Sequence, residues 1–241
     1  MAYLFNKKSF RKGKELDKFT VNQGICTDGK YIYAVFERKK PHACKIRKFT
    51  FDNKTIAISK ALNIGHGNDI TCKGNTLYIT HSAGSNVVHT VNKNTLKKGK
   101  DINVSIPTKV DKNPEFNGIA AMPDGFALRM IGTRRIVVVN NKFKYVRQFT
   151  LKDIPKLQTQ GMEYHDKKIY RVYSNFQKSN NNVYVYDLNG NIVKKYKIKV
   201  KGEAEGIFFC AKKFYLSVYR RYKVDGKQVF KSRLYKLDKI K

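Results

Sequence analysis

Acidic side chains are scarce in this 241-residue chain: 18 Asp and Glu stand against 50 Lys and Arg, a formal net charge of +32. A lysine-rich genome would raise Lys, but it would not by itself depress the acids. Basic residues are spread over positions 7–14, 38–40, 97–100, 194–201, 212–213 and 220–223 rather than confined to a tail. A folded body with this balance carries positive potential over much of its surface and attracts polyanions in a salt-dependent way. Long apolar runs are also missing. No stretch of about 18 apolar residues exists, so no membrane-spanning helix is expected. The first 19 residues, MAYLFNKKSFRKGKELDKF, lack an apolar core behind their basic part. No signal peptide is therefore read in this chain, and the expected location is cytoplasmic, or secreted or cell-surface by a route not visible here.

Cysteine is sparse, at positions 26, 44, 72 and 210, and no C-x-x-C pair occurs. That removes support for a zinc knuckle or a thioredoxin-type site. Free, buried thiols are expected, with disulfides only in an oxidising compartment. No G-x-S-x-G, no H-E-x-x-H and no phosphate-binding glycine loop is found. The glycine-rich run at 65–69 (GHGND) opens a strand, not a helix. A sustained helical stripe is absent throughout.

What is present is a repeat. Gln23-Gly24-Ile25 is followed by Ile32-Tyr33, eight and nine residues after the Gly. Asn68-Asp69-Ile70 leads in the same way to Leu77-Tyr78, Asn117-Gly118-Ile119 to Phe126-Ala127, Gln160-Gly161-Met162 to Ile169-Tyr170, and Glu205-Gly206-Ile207 to Phe214-Tyr215. The copies start 45, 49, 43 and 45 residues apart. Within a copy the periodicity is two, and turn residues separate short runs rich in β-branched and aromatic side chains. Such a unit buries neither face alone, and five of them around an axis cover both. The predicted fold is all-β: one five-bladed β-propeller domain over residues 1–241, with four-stranded antiparallel blades at about 22–66, 67–112, 113–157, 158–202 and 203–241. The last copy is one strand short. Residues 15–21 (ELDKFTV) are expected to supply that strand, so 14–21 complete the last blade.

Equivalent positions on innermost strands lie at equal height. Gln23, Asn68, Asn117, Gln160 and Glu205 then form one ring. Two residues earlier, on the same side by strand alternation, Val21, His66, Glu115, Gln158 and Glu203 form another. The second strand of each blade returns to the same mouth and brings Glu37, His81, Arg134, Asn175 and Arg220. Three of the 18 acids, Glu115, Glu203 and Glu205, thus converge on one opening. The amide ring has two readings: ligand binding, or capping of backbone groups where glycine lets strands approach. Crowded carboxylates are costly unless paired, and perturbed acids gather at sites. Glu205, Glu203 and His66 are the candidate catalytic residues if the chain is an enzyme. Gln23, Asn68, Asn117, Gln160, Glu115, Gln158, His81 and Arg220 are the candidate ligand-binding residues. No cofactor is predicted; a divalent metal in the central channel, on His66, Glu203 and Glu205, is the alternative. The tyrosine column of Tyr33, Tyr78, Tyr170 and Tyr215 is read as packing between blades.

Two families share these motifs. The closing third of the chain runs Glu203-Ala204-Glu205-Gly206-Ile207, then Tyr215-Leu216-Ser217-Val218-Tyr219, then a glycine-containing loop and Leu234-Tyr235-Lys236-Leu237. It resembles the C-terminal part of helveticin J-like bacteriocins, which implies an antibacterial or cell-surface-binding protein. The openings Thr159-Gln160-Gly161 and Glu205-Gly206 resemble the T-Q-G and G-E-G openings of five-bladed plant-type glutaminyl cyclases, though in a different blade order and in a chain without Trp. That resemblance implies chemistry at the central cavity. The expected function is a binding protein whose basic surface captures an anionic polymer, either a cell-wall polymer or nucleic acid, with a pocket for a small polar ligand at the channel mouth. The alternative is an enzyme that uses the mouth carboxylates as general acid and base. A monomer is expected.

Overall fold

The structure is a computed structural model that describes all residues except 1, 5–8, 13, 39–41, 82–84, 177–178, 239 and 241. The basic residues Lys7, Lys8, Lys39 and Lys40 therefore lie outside the described residues. After a short strand β1 (Ala2–Leu4), the first blade contains β2 (Val21–Thr27), β3 (Ile32–Arg38), β4 (Ala43–Phe49) and β5 (Thr55–Ile58). The second contains β6 (Gly67–Lys73), β7 (Thr76–His81), β8 (Val87–Asn92) and β9 (Ile102–Asn103). The third contains β10 (Phe116–Met122), β11 (Gly125–Met130), β12 (Arg135–Asn140) and β13 (Tyr145–Thr150). The fourth contains β14 (Gln158–His165), β15 (Lys168–Asn175), β16 (Asn180–Tyr186) and β17 (Ile192–Ile198). The fifth contains β18 (Glu203–Cys210), β19 (Lys213–Val224) and β20 (Lys227–Leu237).

Each sheet has four strands paired antiparallel in sequence order, and β1 occupies the outer place of the fifth. The first strands of consecutive blades contact one another: β2 with β6, β6 with β10, β10 with β14, β14 with β18, and β18 with β2. The ring is closed, and the fold is a five-bladed β-propeller.

The core lies between blades. Tyr33, Val35, Cys44 and Ile46 of the first blade pack on Ile70, Leu77 and Ile79 of the second. Tyr170, Val172 and Val183 of the fourth pack on Ile207, Phe214 and Leu216 of the fifth. Both faces of each middle strand are covered, so β3 is buried along nearly its whole length rather than on alternate residues. This burial explains the tyrosine column: Tyr33, Tyr170 and Tyr215 are buried and Tyr78 is partly buried, all within inter-blade clusters. The four thiols are free; Cys26 and Cys44 are buried, Cys72 and Cys210 half-buried.

An N-terminal strand does complete the last blade, but it is not the expected one. β1 pairs with β20 in the register Ala2↔Leu237 to Leu4↔Tyr235. Residues 14–21 do not form that strand: Lys14–Leu16 is a 3-10 turn and Val21 already opens β2. The physical reason is spacing. Leu16 and Phe19 are three residues apart, which suits a 3-10 turn and not a strand. Their side chains, both buried, plug the cluster between the fifth and first blades beside Phe10 and Phe36.

Candidate functional site: an axial cavity lined by bulged residues

The five ring residues share a backbone feature. In each first strand the register slips at the repeat motif: between Asn22 and Gly24, Gly67 and Asp69, Phe116 and Gly118, Thr159 and Met162, and Ala204 and Gly206. The residues skipped by the ladder are Gln23, Asn68, Asn117, Gln160 with Gly161, and Glu205. Each is the extra residue of a β-bulge, a device that bends the strand and re-aims a side chain. Asn22, on the neighbouring position, is fully buried and donates its amide to the carbonyls of Gly24 and Val35. That side chain holds the first bulge open from behind.

Just below the ring the axis is closed by one carboxylate. Asp69 stands where the other four copies have Gly. Its Oδ2 accepts the backbone N–H groups of Ile119 (3.0 Å) and Met162 (3.1 Å), and its Oδ1 that of Ile70 (3.0 Å). Three blades are thus tied to one side chain. Burial pushes this carboxyl up to about 7, against the pull of the three N–H bonds. Gly161 makes room for it: a Cβ there would lie 2.9 Å from Asp69 Oδ1 and 2.9 Å from the Glu205 carbonyl.

Above Asp69 a cavity of about 880 Å³ opens. Its wall includes Gln23, Asn68, Asn117, Gln158, Gln160, Glu203 and Glu205, together with Glu37 and His66. The polar groups are held in place. Gln160 Nε2 donates to Glu203 Oε1 (2.9 Å), Asn68 Nδ2 to the Asn117 carbonyl (2.8 Å), and the Arg129 guanidinium to Asn117 Oδ1.

Two carboxyls in this wall are driven apart. Glu205 is only 2% exposed; burial first, then the nearby Glu203 and Glu37, push it well above the usual carboxylate range. Glu37 is 1% exposed, yet burial is outweighed by hydrogen bonds from His66 and His42, and it stays below its ordinary value. His66 Nδ1 lies 2.6 Å from Glu37 Oε1, and His42 Nδ1 lies 3.1 Å from it. In its neutral form, a ring that donates through Nδ1 to a carboxylate carries its lone pair on Nε2. The cavity wall therefore holds a carboxyl pushed towards its neutral form together with an imidazole oriented by a carboxylate.

Three of the candidate ligand-binding residues do not line this cavity, and neither does Asn175, which was expected at the same mouth. Glu115 borders a separate groove with Lys112, Asn113 and Pro114. His81 turns away and packs its ring on His89 at 4.9 Å. Arg220 lies on the outer face of the β19–β20 hairpin, over Tyr222. The alternation of β19, which runs on past the mouth, gives Tyr219 and Arg221 to the cavity instead. His66, Glu203 and Glu205 share a wall, but no group of three or more His, Cys, Asp or Glu among the described residues is arranged to hold a metal. The repeat reading left Arg129 and Asp69 out of the site, and it placed Glu37 at the mouth without giving it a role. Glu37 and Arg129 sit on second strands, outside the repeat motif; Asp69 was visible as the one departure from Gly.

No protein-family model and no curated protein sequence matches the chain. Its fold is similar to that of solved structures. The glutaminyl cyclase of Myxococcus xanthus superposes with a TM-score of 0.62 at 14% identity, over 99% of this chain and 96% of that one. A chain of a nidogen/laminin complex superposes with a TM-score of 0.52 at 12% identity, over 90% and 84%. The likeness is one of fold. These comparisons do not show the resemblance to helveticin J-like bacteriocins. No helix among the described residues is long and apolar enough to cross a membrane.

Proposed function

We propose that the axial cavity is an acid–base site for a small amide-bearing ligand, and that intramolecular cyclisation of an amino-terminal glutaminyl residue is the reaction it fits best. The observation that carries this reading is the buried Glu205 carboxyl, which burial favours in its neutral form, lining the same cavity as the Glu37–His66 pair. The fold shared with a glutaminyl cyclase supports the choice of reaction, and fold alone does not fix function. The carboxamides of Gln23, Asn68, Asn117 and Gln160 offer both donors and acceptors to a ligand amide. In the proposed reaction the terminal amine nitrogen bonds to the side-chain carbonyl carbon, and the carbon–nitrogen bond of the carboxamide breaks. His66, oriented by Glu37, takes the proton from the attacking amine. Glu205 gives a proton to the departing nitrogen, which leaves as ammonia. Positioned acid–base groups of this kind contribute about 10²–10⁴-fold each.

The test is ammonia release from a peptide with amino-terminal glutamine. Turnover by the parent protein and a loss of about 100-fold or more in Glu205→Gln, with folding intact, are expected. No release by the parent protein, or equal release by the variant, overturns the reading. A second reading rests on the charge of +32: the exterior retains an anionic polymer independently of the cavity. It requires retention on a polyanion that collapses with salt and is unchanged in Glu205→Gln.

A further inference from the structure

The fifth blade departs from the other four in one respect. β19 and β20 pair without interruption from Phe214↔Leu237 to Val224↔Lys227, so β19 runs for 12 residues where the other second strands have 6 to 8. The extra length starts at the cavity rim, because Tyr219 and Arg221 both line the cavity. Residues 219–231 hold five basic side chains and one acid, Asp225 at the turn. Arg220, Arg221, Lys223 and Lys227 are exposed, and none of the five basic groups is paired with a carboxylate among the described residues.

Aromatic rings hold three of these cations, Arg220, Arg221 and Lys231, without neutralising them. Arg221 sits 5.6 Å from the Phe176 ring; Arg220 and Lys231 sit 5.1 and 5.4 Å from the Tyr222 ring. Phe176 stacks on Tyr219 at 6.0 Å, and Tyr219 on Phe230 at 6.4 Å. Rings engaged in this way are poor platforms for nucleic-acid bases, which need free ring faces. What the strip presents outward is positive charge whose ordering cost is already met in the free protein.

We propose that the extended β19–β20 hairpin is a docking strip for an acidic peptide segment, which delivers the peptide's amino terminus to the axial cavity. This proposal rests on the reading of the cavity given above. Strand alternation puts Tyr219, Arg221 and Lys223 on the cavity-facing side. From Tyr219 to Lys223 the hairpin rises about 13 Å at roughly 3.3 Å per residue, the length of about four extended residues. Carboxylates at the third to fifth positions of a peptide whose first residue is in the cavity would meet Arg221 and Lys223.

Fluorescence anisotropy with carboxy-terminally labelled peptides tests this. Gln-Gly-Glu-Glu-Glu-Gly is expected to bind about tenfold more tightly than Gln-Gly-Gln-Gln-Gln-Gly at low salt, as two or three partly exposed ion pairs allow. In Arg221→Gln/Lys223→Gln that ratio falls towards one. In Lys194→Gln/Lys195→Gln, which removes the same charge from the outer strand of the fourth blade, the ratio is kept. Equal affinity of the two peptides, an equal loss in both variants, or a single-stranded oligonucleotide of the same charge binding more tightly than the acidic peptide overturns the proposal. The two readings fail separately. A hairpin-dependent preference for the acidic peptide with no ammonia release from that peptide supports the strip and counts against the cavity chemistry. Ammonia release that is indifferent to acidic residues does the reverse.

Discussion

Asp69 ties three blades together, and that role can be tested without knowing the ligand. Three backbone N–H groups, from Ile70, Ile119 and Met162, end on its two oxygens at 3.0 to 3.1 Å. In Asp69→Ala all three lose their acceptor. A buried donor left unmatched costs about 1–3 kcal/mol, so the sum is about 3–6 kcal/mol once some water enters from the cavity above. That is a large share of the roughly 5–15 kcal/mol that holds a domain together. In Asp69→Asn one oxygen remains and an N–H₂ faces at least one of the three donors, so about 2–4 kcal/mol is expected. Urea denaturation followed by tyrosine fluorescence measures both losses. The pH dependence gives a second measure. Burial raises Asp69 to about 7, and burial followed by the proximity of Asp69 raises Glu163 to about 8. Their unfolded values lie near 4. Between about pH 4 and 8 these two groups hold protons in the folded protein that they release in the unfolded chain, so their contribution to stability is greatest at the acid end and falls as pH rises. Removing the Asp69 carboxyl takes one of these titrations away and flattens the fall. A loss below about 1 kcal/mol in Asp69→Ala, or an unchanged slope of stability between pH 5 and 8, would refute the account of the axis.

Gly161→Ala places a methyl 2.9 Å from Asp69 Oδ1 and from the Glu205 carbonyl, and is expected to cost about 1–3 kcal/mol in the same denaturation experiment. Glu37→Gln breaks the orientation of His66 while leaving its ring in place; ammonia release is expected to fall at least about tenfold, and His66→Asn to be no better, as read by turnover across pH 5 to 9. The +32 charge predicts retention on a heparin-like resin that is lost with added salt and indifferent to Glu205→Gln, which elution profiles at graded salt will show.

The fold was legible because five glycine-centred motifs recur at nearly constant spacing, and only a radial arrangement makes such positions equivalent. The ring of Gln23, Asn68, Asn117, Gln160 and Glu205 followed from that equivalence. The second tier was legible only in part. Val21, His66, Gln158 and Glu203 line the cavity, whereas Glu115 is drawn into a separate groove beside Asn113 and Pro114. Arg220 was misplaced because period-two reasoning needs the strand's end, and nothing in YRRYKVDGKQVF says that β19 continues past the mouth. The closing strand was misread for a related cause. Leu16 and Phe19 look like strand residues in a short window, but their spacing of three fits a turn.

The bulge joins the fold to the chemistry. A regular first strand would pair every residue and point alternate side chains into the blade interfaces, where Asn22 is buried. Inserting one unpaired residue per blade frees a side chain to face the axis, and fivefold repetition brings these side chains to one rim. The same insertion costs each blade ladder hydrogen bonds near the axis. Asp69 supplies acceptors for Ile119 and Met162, the residues that follow the glycines of the third and fourth blades. At Gly161 and Gly206 space forbids the same departure from Gly, because a side chain there would meet backbone at 2.9 Å. The asymmetry that singles out Asp69 thus lets the other four blades keep their glycines, and leaves the cavity above to Glu205, Glu203 and the Glu37–His66 pair.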